Sequence, residues 1–423
     1  MIGCLYYDVG FESLQERDNH VRSHNRPFKC PERGCFYEEL GFGNNQSLNR
    51  HIALCHSSSD SSKFAFPKLP TAGERKRFQE AIKSDNLDLV RELIHANSSL
   101  QDGAWIGGYT GLQLAAKHGS VRIAQLLLDC GSNIGTLSKS GTALHVACFW
   151  GQADMVQFLL SYSRCEEDVN SKDEQGDTPL LSVFRSQYVS AKLEVVRLLL
   201  EDRKVSANIQ NRIGRTPLSL AAALNHSEAV PMVMMFLKRD GIDINAKDSG
   251  GGTPLSWAAS SGIAGVVKIF LQWDGVDVNA RDAGGRTPLS WAAYREDSEA
   301  VPVVMLLLGH NEVDINARDN EGRTPLAWAA VKRIEGVVKV LLQDRGVDVN
   351  ARDAGGRTPL SWAAGSGTAA VVDAFLEQSV GVDVNARDDR GRTPLSWAVA
   401  RRDAGMAAVV KRLEEHGAVC GAL

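Results

Sequence analysis

The phrase that opens at Thr110 opens again at Thr142, Thr178, Thr216, Thr253, Thr287, Thr324, Thr358 and Thr393, and from Thr178 onward it reads Thr-Pro-Leu. Successive starts lie 32 to 38 residues apart. A period in this range marks a chain assembled from one supersecondary unit, because so small a unit cannot bury its apolar face alone and must stack on its neighbours. A stack grows by adding units, so the length of 423 residues does not translate into two or three globular domains. Such a chain offers a long surface to a partner, and chemistry has to come from elsewhere.

The unit can be read residue by residue. Residues 279–293 read NARDAGGRTPLSWAA and residues 350–364 repeat them without change; 316–330 read NARDNEGRTPLAWAA and 385–398 read NARDDRGRTPLSWA. Asp followed by Gly before the Thr is turn chemistry, with Gly free to take positive φ. Thr suits the N-cap of a helix, and Pro suits its first position, where the missing N–H costs nothing. Leu, Trp and Ala-Ala follow at helical spacing. After a break comes a second apolar helix, such as Val266-Val267-Lys268-Ile269-Phe270-Leu271, and then Val-Asp-Val-Asn leads into the next turn.

These residues resemble the ankyrin repeat: Thr-Pro-Leu opens helix one, Ala-Ala closes it, Val-Val…Leu-Leu forms helix two, and Asp-Val-Asn-Ala-x-Asp leads out. The resemblance implies an all-α solenoid of antiparallel helix pairs with hairpin loops projecting from one rim. It covers residues 74–417. The family's His after Leu survives only as His145; later copies carry Ser219, Ser256, Ser290, Ser361 or Ser396. One extra residue precedes each Asp-Val-Asn loop, and the 37-residue units add three more between the helices, as in 294–299. Residues 78–94 fit a helix pair without the Thr-Pro-Leu phrase and read as an N-terminal capping repeat, giving about ten helix-pair repeats. The polar run through Arg401, Arg402, Asp403, Lys411, Arg412, Glu414 and Glu415 suits a C-terminal cap.

Trp257, Trp291, Trp328, Trp362 and Trp397 share one register, to which Leu114, Val146, Val183 and Leu220 are also assigned. That exchange with aliphatic residues predicts an apolar core slot. The Arg-Asp pairs at 281–282, 318–319, 352–353 and 387–388 do not vary, so turn geometry and pairing between units account for them, and they cannot encode a partner. The positions that vary follow Trp-Ala-Ala: Ser260 and Ser261, Tyr294 and Arg295, Val331, Lys332 and Arg333, Gly365 and Ser366, with Arg401 and Arg402 in the last copy. In the ankyrin family this end of helix one lines the concave binding face, so these are the candidate partner-binding residues.

The first sixty residues follow different rules. Cys30, Cys35, His51 and His56 supply two thiolates and two imidazoles at Cys-x4-Cys-x15-His-x4-His spacing, the tetrahedral set that Zn²⁺ takes in a closed structural site. Cys55 is an alternative fourth ligand. The pattern resembles a Cys/Cys/His/His zinc finger of ββα fold with a spacer longer than the usual one. Cys4, His20 and His24 repeat the long spacer and read as the remainder of a second finger. Counting back from His51, Asn44, Ser47 and Arg50 occupy the base-reading helix positions of this motif. Charge argues against nucleic acid: residues 1–60 hold six Lys or Arg against eight Asp or Glu, whereas phosphate neutralisation supplies most non-specific affinity.

The resulting organisation is a partial finger over 1–24, a zinc finger over 25–56, a Ser- and Pro-containing flexible linker over 57–73, the repeat domain over 74–417 and a tail over 418–423. No Gly-x4-Gly-Lys-Ser/Thr, Gly-x-Ser-x-Gly or His-Glu-x-x-His sequence occurs. His118, His145, His226 and His310 share no register and are expected at surface or loop positions. With a formal net charge of −4 and no apolar run of bilayer length, the expectation is a monomeric, intracellular, non-enzymatic interaction scaffold that holds Zn²⁺ and binds a protein. The alternative is a nucleic-acid-binding regulator whose repeats recruit a partner. The whole layout is similar to the C-terminal part of ankyrin proteins of filamentous fungi, which leaves open a fragment of a larger sensor.

Overall fold

The computed structural model describes residues 70–100, 108–163, 169–186, 189–378, 381–401 and 406–422. Among them are twenty α-helices in ten antiparallel pairs. They fall into two compact units, divided after Val205. The first holds α1 (Ala72–Lys83) with α2 (Leu87–Ala96), α3 (Gly111–His118) with α4 (Val121–Asp129), α5 (Ala143–Trp150) with α6 (Ala153–Tyr162), and α7 (Pro179–Arg185) with α8 (Val189–Glu201). The second holds α9 (Pro217–Ala222) with α10 (Ala229–Leu237), α11 (Pro254–Ser261) with α12 (Ala264–Leu271), α13 (Pro288–Ala293) with α14 (Ala300–Leu308), α15 (Pro325–Lys332) with α16 (Glu335–Gln343), α17 (Pro359–Ser366) with α18 (Ala369–Gln378), and α19 (Pro394–Ala400) with α20 (Met406–Glu415).

From α3 onward the first helix of each pair starts where the phrase places it. Thr253, Thr287, Thr324, Thr358 and Thr393 are extended N-caps with Pro at the first helical position. In these five, Thr Oγ1 accepts from the backbone N–H three residues on, at 3.3 Å, which satisfies a donor the helix cannot. Thr71 and Glu74 form a reciprocal capping box at the start of α1. That start at Ala72 lies inside the segment read as linker, and Arg75 Nε donates to Pro70 O at 2.8 Å.

Within each unit the first helices of successive pairs pack on one another, and so do the second helices. The core lies between these layers. Leu289, Ala292 and Ala293 of α13 meet Val303, Val304 and Leu307 of α14, all essentially without solvent contact. The Ala-Ala step brings the helices close, and the branched residues of the second helix fill the gap. Burying one such Val or Leu contributes roughly 1.5–3 kcal/mol, and each pair repeats the arrangement. The three extra residues of the long copies occupy the turn between helices, at 223–228 and 294–299, where added loop length costs little.

The opposite rim is tied from pair to pair. Asn245 Nδ2 donates to Gly275 O at 2.7 Å while its Oδ1 accepts from Asp277 N at 2.9 Å. Asn279, Asn316 and Asn350 make the same two bonds to the next loop. The hairpin tips add a backbone ladder: Ala283 N to Gly250 O (2.7 Å), Asn320 N to Gly284 O (2.9 Å), Ala354 N to Glu321 O (2.8 Å) and Asp389 N to Gly355 O (3.1 Å). Residues 418–422, read from the sequence as a tail, are held by the last pair. Val419 N donates to Asn385 Oδ1 at 2.7 Å, and Ala422 N donates to Gly391 O at 3.0 Å.

Candidate functional site

The tryptophan register has a polar side that the sequence reading missed. Each indole Nε1–H donates to the Asp nine residues earlier: Trp257 to Asp248 (2.9 Å), Trp291 to Asp282 (3.1 Å), Trp328 to Asp319 (3.0 Å), Trp362 to Asp353 (2.9 Å) and Trp397 to Asp388 (3.2 Å). In four of the five the Arg just before the N-cap Thr lies on the indole face; Gly252 stands there in the Trp257 copy, whose ring is covered by Arg215 at 3.6 Å. Arg286 is 3.9 Å from the Trp291 ring centroid, Arg323 is 3.9 Å from Trp328 and Arg392 is 3.7 Å from Trp397. Arg357 touches both Trp362, at 4.3 Å, and Trp397, at 3.3 Å. Cation–π contacts of this kind are worth ~0.5–2 kcal/mol each.

This corrects the expectation of an apolar core slot. Only Trp328 is buried, at 8% exposure, and the other four are half-buried. An indole has one face for the core and one N–H that needs a partner, so it sits at the boundary. The register also needs a correction. Four residues beyond Thr178 is Ser182, not Val183, and Val183 belongs to the Ala-Ala step. The pairing had left a signal: Asp stands nine residues before every Trp of the set, whereas Leu220 has Asn211 there.

The Asp side chains also organise the hairpins. Asp282 Oδ1 accepts from Arg286 N at 2.8 Å and Asp319 Oδ1 from Arg323 N at 2.9 Å. Burial opposes the charge of Asp388. The N–H groups of Arg392 and Arg390 together with the Arg392 guanidinium outweigh that and hold its carboxyl below the usual carboxylate range. The invariant Arg-Asp pairs do link units: Arg318 Nη1 donates to Arg352 O at 2.7 Å, and Arg352 Nη2 lies 3.2 Å from Asp389 Oδ1.

His145 is not at a surface or loop position, as its lack of register had suggested; it is 1% exposed on α5. Its Nδ1 accepts from Thr142 N at 3.0 Å, and Nε2 lies 3.0 Å from Asp177 O. This geometry selects the neutral Nε2–H tautomer. Burial is the largest influence and lowers its pKa from the usual value, against the Asp177 carbonyl, which raises it. Gln113 does the same task one pair earlier, capping Thr110 and reaching Gly141 O at 2.8 Å. His118 ends α3, while His226 and His310 lie in loops.

The candidate partner residues separate into two groups. Several are spent on joining pairs. Ser261 Oγ donates to Ala222 O at 3.0 Å, Arg401 Nη1 donates to Gly365 O at 2.7 Å, and Arg295 bonds Ser260 O and Asp297. Ser366 is buried with its hydroxyl on Ala363 O at 2.7 Å, and Gly365 is half-buried beside it. Ser260 borders a cleft of about 310 Å³ with Trp257, Trp291 and Arg286. The second group comes together: Tyr294, Val331, Lys332 and Arg333, with Glu296 and Trp328, line a cleft of about 400 Å³ between α13 and α15. The Tyr294 ring stands edge-on to Trp328 with centroids 5.1 Å apart. Lys332 Nζ lies 4.0 Å over that Tyr ring and donates to Glu296 Oε1 at 2.7 Å. Sequence reading also missed a mixed aromatic and basic cluster in the first unit, where Lys117 Nζ lies 5.3 Å from the Tyr109 ring and 4.6 Å from the Trp150 ring.

Arg402 lies outside the described residues. So do Cys4, His20, His24, Cys30, Cys35, His51 and His56 of the zinc reading, and Asn44, Ser47 and Arg50 of the nucleic-acid reading. Among the described residues no cluster of His, Cys, Asp and Glu could hold a metal ion, and no helix is long and apolar enough to cross a membrane.

Comparison with known proteins agrees with this geometry. The family described as ankyrin repeats in three copies matches residues 78–173, 163–248, 186–282, 255–353 and 345–422. Ankyrin repeat domain-containing protein 63 of Homo sapiens is 32% identical over 118 residues, which are 28% of this chain and 30% of that protein. Neurogenic locus notch homolog protein 1 of Mus musculus is 36% identical over 120 residues, 28% of this chain and 4% of that protein. The chain thus spans less than a third of the length of these relatives. The crystal structure of the ankyrin repeat domain of Bcl-3 aligns with a TM-score of 0.42 and 27% identity, covering 49% of this chain and 88% of that one.

Proposed function

Because the chain belongs to the ankyrin-repeat family, we propose that it is a non-enzymatic interaction scaffold that binds a protein on the face formed by the ends of its first helices. One observation carries this reading. The frame residues of successive pairs make the same bonds, whereas the residues after Trp-Ala-Ala differ from pair to pair and gather, at Tyr294, Val331, Lys332 and Arg333, around a cleft. A surface that varies on a constant frame is where a repeat protein stores specificity. The test compares proteins captured by the full chain with those captured after Tyr294, Arg295, Lys332 and Arg333 are changed to Ala. Loss of one or more captured proteins is expected, and an unchanged set would refute this choice of surface.

The reading extends to a structural zinc module held by Cys30, Cys35, His51 and His56. Thirty residues with so small a core depend on a metal to fold, and the proposal rests on the donor set and its spacing in the sequence. Full-length protein purified without chelator should contain about one zinc per chain, as a four-ligand site requires, and Cys30→Ser with Cys35→Ser should remove it. Zinc retained by that double variant would exclude these ligands.

A further inference from the structure

The cleft between α13 and α15 departs from the frame in a way that folding does not explain. Arg333 closes α15 with φ 63° and ψ 30°, in the left-handed region. At the corresponding end of α3, α5, α11 and α17 stand Gly119, Gly151, Gly262 and Gly367, with φ between 71° and 82°. Glycine takes this conformation freely, and a side chain resists it. Apart from Asp85, Arg333 is the only non-glycine residue with positive φ among the described residues. Its side chain is exposed and makes no hydrogen bond or ion pair among them. A long cation held at a strained position, near enough to Glu296 to act on its charge yet bonded to nothing, is available to a ligand outside the chain.

The surroundings define that ligand. Lys332 is already committed, to Glu296 first and then to Tyr294, which together hold its ammonium above its usual pKa range. Arg295 is likewise committed to Asp297 and the Ser260 carbonyl. Arg333 is therefore the cation at the rim that makes no hydrogen bond or ion pair, beside a hollow lined by Tyr294, Trp328 and Val331 together with Glu296 and Lys332. A planar guanidinium beside an aromatic hollow matches a carboxylate next to a large apolar side chain. The exposed acids of the adjoining turn, Glu296, Asp297 and Glu299, repel the run of charges on a phosphate backbone more than the single carboxylate of a peptide.

We infer that this cleft binds a protein segment in which a Leu, Phe or Trp lies beside an Asp or Glu: the apolar side chain packs in the cleft against Val331 and the Tyr294–Trp328 ring pair, and the carboxylate pairs with Arg333. The inference rests on the proposed binding face and specifies its occupant. The test uses the full chain, immobilised, to select from a random peptide display library, alongside Arg333→Gly, Tyr294→Ser, Ser260→Arg and Gly365→Arg. Wild-type protein should enrich peptides with an acid next to a large apolar residue, and Arg333→Gly should weaken the best of them about tenfold.

Because Gly is the residue that ends α3, α5, α11 and α17 in this conformation, Arg333→Gly should melt at the same temperature as wild type or higher. A lower melting temperature would make Arg333 a folding residue and overturn the assignment. So would enrichment of basic or uncharged peptides, no enrichment over bare support, or Arg333-dependent retention of an oligothymidylate in place of peptide. Peptides lost on Ser260→Arg or Gly365→Arg but kept on Arg333→Gly would overturn this occupant while leaving the face intact. Insensitivity to all four variants would overturn the face as well.

Discussion

Trp328 donates its indole N–H to Asp319 across 3.0 Å, and both side chains are buried. The same carboxylate takes the Nε of Arg323 at 3.1 Å, and the guanidinium returns over the indole ring. Three residues from one hairpin and one helix thus satisfy one another. Trp328→Phe keeps a ring in the slot and removes the donor, leaving a buried carboxylate oxygen short of a partner. The expected loss is about 1–3 kcal/mol, read as a lower thermal midpoint of the full chain. An unchanged midpoint would mean that water or Arg323 replaces the indole at no cost.

Asn316 joins two neighbouring pairs through bonds of 2.7 Å to Gly346 O and from Asp348 N. Asn316→Ala removes both. It should cost ~1–3 kcal/mol, with the damage kept local because each pair contacts only its neighbours. Hydrogen exchange should accelerate at residues 346–350 and stay unchanged in α1 and α2. Acceleration spread evenly along the chain would contradict a nearest-neighbour account.

Gly322 and Gly275 both have positive φ, 77° and 80°, yet only one is enclosed. A Cβ on Gly322 would lie 2.8 Å from Ala354 N, whereas one on Gly275 would meet nothing within 4 Å. Gly275→Ala should cost only the conformational penalty of about 1–2 kcal/mol. Gly322→Ala should lower the thermal midpoint further, since it also pushes against the donor of the Ala354 N to Glu321 O bond. Equal midpoints would show that the hairpin tip yields freely.

Acid should loosen the first unit at His145. Its pKa is lowered in the folded protein, chiefly by burial, from the ordinary value of 6.5. The unfolded chain therefore takes up the proton first. The stability this imidazole confers is complete above about pH 6.5 and declines as pH falls through the lower folded value. Protonation would place a second hydrogen against Thr142 N–H. His145→Gln copies the residue at 113 and removes the titration, so its thermal midpoint should vary less than that of wild type between pH 7.5 and pH 5. Asp388 acts in a lower window. Its carboxyl is held below the usual range, so its contribution stands above about pH 3.9 and is lost as pH falls through its folded value. Matching pH profiles for His145→Gln and wild type would remove His145 from the account.

Much of the frame was legible because it is written several times over. Thr and Pro mark each helix start, Gly marks the turns, and the added residues at 294–299 fell where the copies disagreed in length. The partnership of Asp with Trp was harder to see, since the eye reads Trp beside Leu220 and Val146 as one more apolar residue. Only a pairwise comparison at a separation of nine shows that the indole N–H comes with its own acceptor. His145 misled for a related reason: a residue that occurs once looks incidental, although Gln113 performs the same bonds with a different side chain. At the proposed binding face the sequence showed which positions vary. It did not show that Arg295, Ser261 and Arg401 spend their polar groups on the preceding pair, because those contacts cross some 35 to 39 residues.

The asparagine links use one invariant side chain and two main-chain groups, and nothing particular to the pair they join. Excising residues 287–323 would bring Asn279 to the carbonyl of Gly346 that Asn316 now holds, with Thr324 following Arg286 as Thr287 does. The shortened protein would close its rim with the bonds it already uses. What would vanish is Tyr294, and with it one wall of the cleft. Units of this chain are thus interchangeable as carpentry, so the number of pairs could change without loss of fold, while on the proposed binding face each change would rewrite the vocabulary.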